Sequence, residues 1–173
     1  MALRSENIDT YEAFKNALMD LFSKDRFLFE IKAKKETFAC RLALYLSSYF
    51  GAEWYIDVGI MGSELLVWDR KGTIALSLFI SKDYVSQSQK DRVRTFHKEQ
   101  RPALSLALSL LEDKDYILIY RFETDYVDYL HIFPELDFEE KVLKRCLIDE
   151  EEKGEDDPVL FKIRKKRRKK AED

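Results

Sequence analysis

After Asp9, apolar residues recur three and four positions apart. Tyr11, Phe14, Leu18, Leu21 and Phe22 form one stripe, which predicts a helix with a single buried face. Asp9 followed by Glu12 is a carboxylate variant of the capping box that starts such a helix. Arg26-Phe-Leu-Phe-Glu-Ile-Lys32 alternates instead and reads as a short strand or extended connector. A second helix is predicted from about Lys35 to Phe50. Its stripe holds Phe38, Leu42, Tyr45, Leu46 and Tyr49, and Gly51 is placed to end it.

Three strand-like segments follow: Trp54–Val58, Leu65–Trp68 and Thr73–Ser81. Gly59 and Gly62 divide the first two, and Arg70-Lys71-Gly72 predicts a hairpin between the second and third. The polar stretch Ser86–Gln100 leads through Pro102 into the apolar run Leu104–Leu111. Proline within a helical pattern predicts two successive helices or one kinked helix. Tyr116–Phe122 and Tyr126–Phe133 read as strands joined by Glu-Thr-Asp. Asp137 is then expected to cap a last helix carrying Phe138, Val142, Leu143, Cys146 and Leu147.

Beyond residue 148 the pattern changes. Asp149–Asp157 is almost wholly acidic, and Pro158 would break a helix. The apolar patch Val159-Leu-Phe161, which can dock on the domain, precedes a basic run. That run, Lys162–Lys170, holds eight cationic residues in nine positions. Blocks of like charge repel and are not expected to order by themselves. The chain therefore reads as one domain over residues 1–148 and a charged tail over 149–173. Nine acidic and nine basic residues make the tail neutral, so the net charge of −3 resides in the domain. Such a body would not hold nucleic acid by net charge, and a binding face has to be a local patch. Cys40 and Cys146 fall in predicted helices and read as reduced core thiols. With no signal-like apolar stretch at the N-terminus and no run of ~18 apolar residues, the expectation is a soluble cytoplasmic protein without a membrane partner.

The stretch Lys35–Ile60, KETFACRLALYLSSYFGAEWYIDVGI, carries a likeness to a known family. Arg41-Leu42-Ala43-Leu44-Tyr45-Leu46 and Ile56-Asp57-Val58-Gly59-Ile60 resemble the first helix and first strand of small bacterial and phage-borne PD-(D/E)XK nucleases. The resemblance covers about residues 27–133. It implies an α/β fold with a restriction-endonuclease-like αβββαβ core. A mixed central sheet would be flanked by helices, with an extra helix at each end.

Family chemistry implies two acids and a lysine around divalent metal, the metal stabilising charge on the phosphate and the lysine orienting the attacking water. Carried onto this chain, Ser63-Glu64 stands where the family has Pro-Asp, and Glu64 could still ligate metal. Phe79-Ile80-Ser81 stands in place of Glu-x-Lys, with Lys82 one position later and so on the opposite face. Gly59 replaces the family's optional acid. Glu64, Asp57 and Lys82 are thus the residues of a remnant site, with no metal expected. Lys90, Arg92, Arg94 and Lys98 follow the third strand and are candidates for phosphate contact, as are Lys162, Arg164, Lys165, Lys166, Arg167, Arg168, Lys169 and Lys170 of the tail. His97 and His131 have no ligand set near them in sequence and read as structural.

The leading expectation is a nuclease-fold protein without catalysis, an accessory or structural subunit in a bacterial or mobile-element nucleic-acid system. Its partners would be a larger protein complex and DNA or RNA at the basic tail, with no cofactor. One alternative is an active nuclease with relocated residues (Glu64, Asp57 or Asp69 with Lys82 or Lys71), which alone would require Mg²⁺ or Mn²⁺. The other is a protein–protein adaptor that touches no nucleic acid.

Overall fold

In the computed structural model, which describes residues 9–147, the Asp9 carboxylate accepts hydrogen bonds from the backbone of Tyr11 and Glu12 and so starts helix α1, Thr10–Lys24. A single turn, α2 (Phe27–Glu30), and helix α3 (Lys35–Leu46) follow. Then come β1 (Trp54–Val58), β2 (Leu65–Asp69) and β3 (Ile74–Ser81), helix α4 (Gln87–Gln100), and β4 (Leu104–Ser109). Strands β5 (Ile117–Phe122), β6 (Tyr126–Phe133) and β7 (Glu139–Leu147) complete the fold. The seven strands form one sheet in chain order, antiparallel throughout except that β3 and β4 run parallel. α4 is the crossover that the parallel pair requires.

Two cores sandwich this sheet. On one face α1 and α3 bury Phe14, Leu18, Leu42 and Leu46 against Leu65, Leu76, Leu78, Leu106 and Ile119. On the other, Val93 and Phe96 of α4 meet Phe79, Ala107, Leu118 and Tyr120. The α/β class and the mixed sheet flanked by helices are therefore present. No helix among the described residues is long and apolar enough to cross a membrane.

Four expectations change. Arg26–Lys32 is not a strand, because Phe27–Glu30 closes a helical turn that buries Leu28 and leaves Phe27 and Ile31 exposed. Leu104–Leu111 is not helical. As β4 it is buried on both faces, with Leu104, Leu106 and Leu108 on one and Ser105, Ala107 and Ser109 on the other, and this two-residue alternation is that of a strand. The expected C-terminal helix is β7. Its apparent four-residue spacing comes from a bulge: Leu130 faces Val142 and Tyr129 faces Lys144, so Leu143 is an extra residue and the later side chains change face. Asp137 makes a turn rather than a cap; it and Phe138 both have left-handed φ, 49° and 57°. Of the two thiols expected in the core, Cys146 is buried on β7, whereas Cys40 is exposed on α3. The tail, with its basic candidates Lys162 and Arg164 to Lys170, lies outside the described residues.

Candidate functional site

The turn before β2 presents Glu64. Gly62, at φ 80°, bends the chain, the Ser63 hydroxyl donates to the Ile60 carbonyl at 2.9 Å, and the Glu64 amide donates to Leu78. The carboxylate lies on the α4 side of the sheet, where a cavity of about 40 Å³ is lined by Lys35, Glu64, Phe79, Ser81, Gln89 and Arg92 among others. Both carboxylate oxygens are engaged: Oε1 with Lys35 Nζ at 2.8 Å and Oε2 with the Ile80 amide at 2.9 Å. Lys35, at the first turn of α3, was not singled out in the sequence.

Phe79 fills the place where the resemblance requires a second acid. Its ring meets Phe96 edge-on at 5.7 Å, with the Arg92 guanidinium 5.7 Å above it. Lys82 lies on the opposite face, as strand alternation requires. There its amine donates to the Ala33 carbonyl at 2.9 Å and sits 5.1 Å over the Phe38 ring. Asp57 accepts from Trp68 Nε1 at 2.7 Å. Because Trp68 lies beyond Leu66 from Glu64, the Asp57 carboxylate turns away from it. Asp69 accepts from the Lys71 and Thr73 amides in the hairpin, five residues along the strand from Glu64, or about 16 Å. Glu64, Asp57, Asp69 and Lys82 are thus each engaged with a different partner. Among the described residues no group of three or more His, Cys, Asp or Glu could hold a metal. A hard divalent cation needs several oxygen ligands, and Glu64 is a single carboxylate.

The α4 cations are only partly available. Ser86 and Gln89 close a capping box that starts the helix. Lys90, a candidate for phosphate contact, is 2% exposed; its amine donates to the Tyr129 hydroxyl at 3.1 Å and lies over the Tyr120 and Tyr129 rings. Arg92 bonds the Gly62 carbonyl, and the Arg94 side chain is 14% exposed beside Asp91. Lys98 is exposed.

The helix motif that carries the family likeness has a structural task. Arg41 grips the buried Asp25 carboxylate through two bonds of 2.7 and 2.9 Å, and the Tyr45 hydroxyl donates to it at 2.7 Å. Burial alone would raise the Asp25 pKa, but the Tyr45 and Arg41 hydrogen bonds outweigh it and hold the carboxyl below its ordinary range. His97 Nδ1 pairs with the Ser105 hydroxyl at 2.9 Å, which in turn pairs with Ser77 at 2.8 Å. Burial lowers the His97 pKa. His131 stacks on Tyr116 at 3.9 Å. On the α1–α3 side a cavity of about 260 Å³ opens among Phe22, Phe29, Phe38, Lys82 and Tyr116, rimmed by Arg26 and Glu135. Nothing in the sequence pattern marks it, because its walls come from α1, α2, α3 and β5 and from the loops after β3, β4 and β6.

Compared with known proteins, the chain matches no family model, no curated protein and no solved structure.

Proposed function

We propose that this chain is a nuclease-fold protein without a catalytic site, acting as an accessory or structural subunit of a nucleic-acid-associated assembly. The observation that carries the reading is the state of Glu64. Among the described residues it is the single carboxylate lining its cavity, both its oxygens are engaged by Lys35 and Ile80, and Phe79 occupies the neighbouring strand position. The order α3-β1-β2-β3-α4-β4 supports the ancestry, since it has the αβββαβ form that the resemblance implies. Fold is nevertheless a guide to ancestry rather than activity.

Nucleic-acid contact falls to the basic run Lys162–Lys170 with Lys98, because Lys90 is buried and Arg92 and Arg94 are turned to partners on the domain. That same loss of cations on α4 favours the adaptor as the second reading. One experiment separates them. Purified protein is incubated with labelled single- and double-stranded DNA and RNA in Mg²⁺ or Mn²⁺, and both cleavage and binding are read. Binding without cleavage supports the first reading, and neither supports the adaptor. Metal-dependent cleavage abolished by Glu64→Ala would refute both.

A further inference from the structure

Among the described residues the sheet has two outer strands, β1 and β7, and they are built differently. An outer strand offers unpaired backbone groups to any other strand, and proteins blunt it with lysine, proline or a bulge. β7 carries such devices in Lys141, Lys144, Arg145 and the bulge at Leu143. β1 carries none of them. From Gly51 to Ser63 the chain contains no Lys, Arg or Pro, and β1 pairs with β2 in unbroken register. Tyr55 and Val58 within the strand, and Met61 just after it, are exposed apolar side chains.

Two hydrogen bonds fix which way the β1 backbone faces. The Gly59 amide donates to the Glu64 carbonyl at 3.0 Å, so Tyr55, Asp57 and Gly59 turn their backbone groups towards β2. Trp54, Ile56 and Val58 therefore turn theirs outwards. The Trp54 amide is already taken by the Gly51 carbonyl at 3.0 Å. The amides of Ile56 and Val58 remain as donors, and the carbonyls of Trp54, Ile56 and Val58 as acceptors. No described residue bonds them.

We propose that β1 pairs antiparallel with β1 of a second copy of this chain, about a two-fold axis at Ile56, so that the two sheets join edge to edge. The free groups are self-complementary in this register. Each Ile56 amide meets the partner's Ile56 carbonyl, and each Val58 amide meets the partner's Trp54 carbonyl, so every free donor is used. A register centred on Asp57 would make as many bonds but would set Asp57 directly opposite its own copy, and like charges placed so repel. Centred on Ile56, Asp57 faces the partner's Tyr55, and Trp54 faces the partner's Val58. The contact is isologous and closed, which gives a dimer rather than a fibre. With five residues a side it is smaller than a standard interface, so the dimer should be weak and dependent on concentration. None of this depends on whether the protein contacts nucleic acid.

Sedimentation velocity tests it on the full-length protein, kept reduced because Cys40 is exposed. From about 5 to about 500 µM, a range suited to a small interface, the average mass should rise from that of one chain towards that of two. Val58→Pro removes an outward amide that bonds nothing within the protomer, and should weaken association about tenfold or more. A monomer throughout that range would overturn the proposal. So would a dimer that Val58→Pro leaves equally strong, because the copies would then meet elsewhere. If Val58→Pro alters the circular dichroism of the domain, hydrogen exchange of the unaltered protein decides. The Ile56 and Val58 amides should exchange more slowly at the high concentration than at the low one, with the Gly59 amide unchanged, and equal rates at Ile56 and Val58 would count against the pairing.

Discussion

Asp25 sits at the C-terminal end of α1, 5% exposed, with Arg41 and Tyr45 from successive turns of α3 closing on it. Removing Arg41 leaves a buried carboxylate with one hydroxyl partner. Because the guanidinium is itself 41% exposed, the loss should be below that of a fully buried pair. Arg41→Ala is expected to lower unfolding free energy more than Tyr45→Phe, which should cost about 1 kcal/mol in urea titrations. The carboxyl titrates lower when folded than when unfolded, so its stabilisation is complete above the ordinary carboxylate range and disappears as pH falls through the folded value. His97 works on a different limb. Its folded pKa lies below the ordinary 6.5, so the unfolded chain takes up the proton first and stability declines as pH drops from there. His97→Gln should flatten that decline below about pH 6.5, measured by thermal or urea unfolding across pH.

Among the elements, β7 depends on side chains rather than on its own burial. Most of its residues are exposed, yet Arg145 reaches the buried Asp128 with bonds of 2.7 and 2.9 Å, and Arg121 of β5 adds a third at 3.1 Å. Arg145→Ala should therefore destabilise the protein and speed amide exchange in β6 and β7 before other strands. This strand also shows where sequence pattern runs out. α1 and α3 were legible because their stripes follow one buried face, and β1 to β3 because glycines and a tight turn separate them. β7 was not, since the bulge at Leu143 turns a two-residue alternation into a spacing that mimics a helix. β4 was masked by Pro102 and the helical stretch before it, although Leu104–Ser109 alternates with a period of two, and its pairing with both β3 and β5 fixes it as a strand.

At the scale of the whole molecule, the ring of Phe79 and the bonds to Glu64 predict no hydrolysis of DNA or RNA in Mg²⁺ or Mn²⁺, read by gel assay. If the basic run makes phosphate contacts, deleting Lys162–Lys170 should weaken binding and reduce the slope of log affinity against log salt. That Phe79 and Lys82 lie on opposite faces was legible, because strand periodicity fixes which side chains share a face. Lys35 on Glu64, the burial of Lys90 and the cavity beside Phe38 were not, since each joins residues that only the tertiary fold brings together. The order of the strands has a further consequence, for assembly in time. Each strand pairs with its predecessor, so the sheet can grow in the order in which the chain is synthesised, and only the β3–β4 crossover requires a longer closure. The first helix is different: the Tyr11 hydroxyl bonds Glu140 at 2.7 Å, and Lys15 lies 3.7 Å from the same carboxylate. α1 thus cannot complete its contacts until the last strand has emerged. Tyr11→Phe should accordingly hasten unfolding while leaving the refolding rate nearly unchanged in stopped-flow measurements.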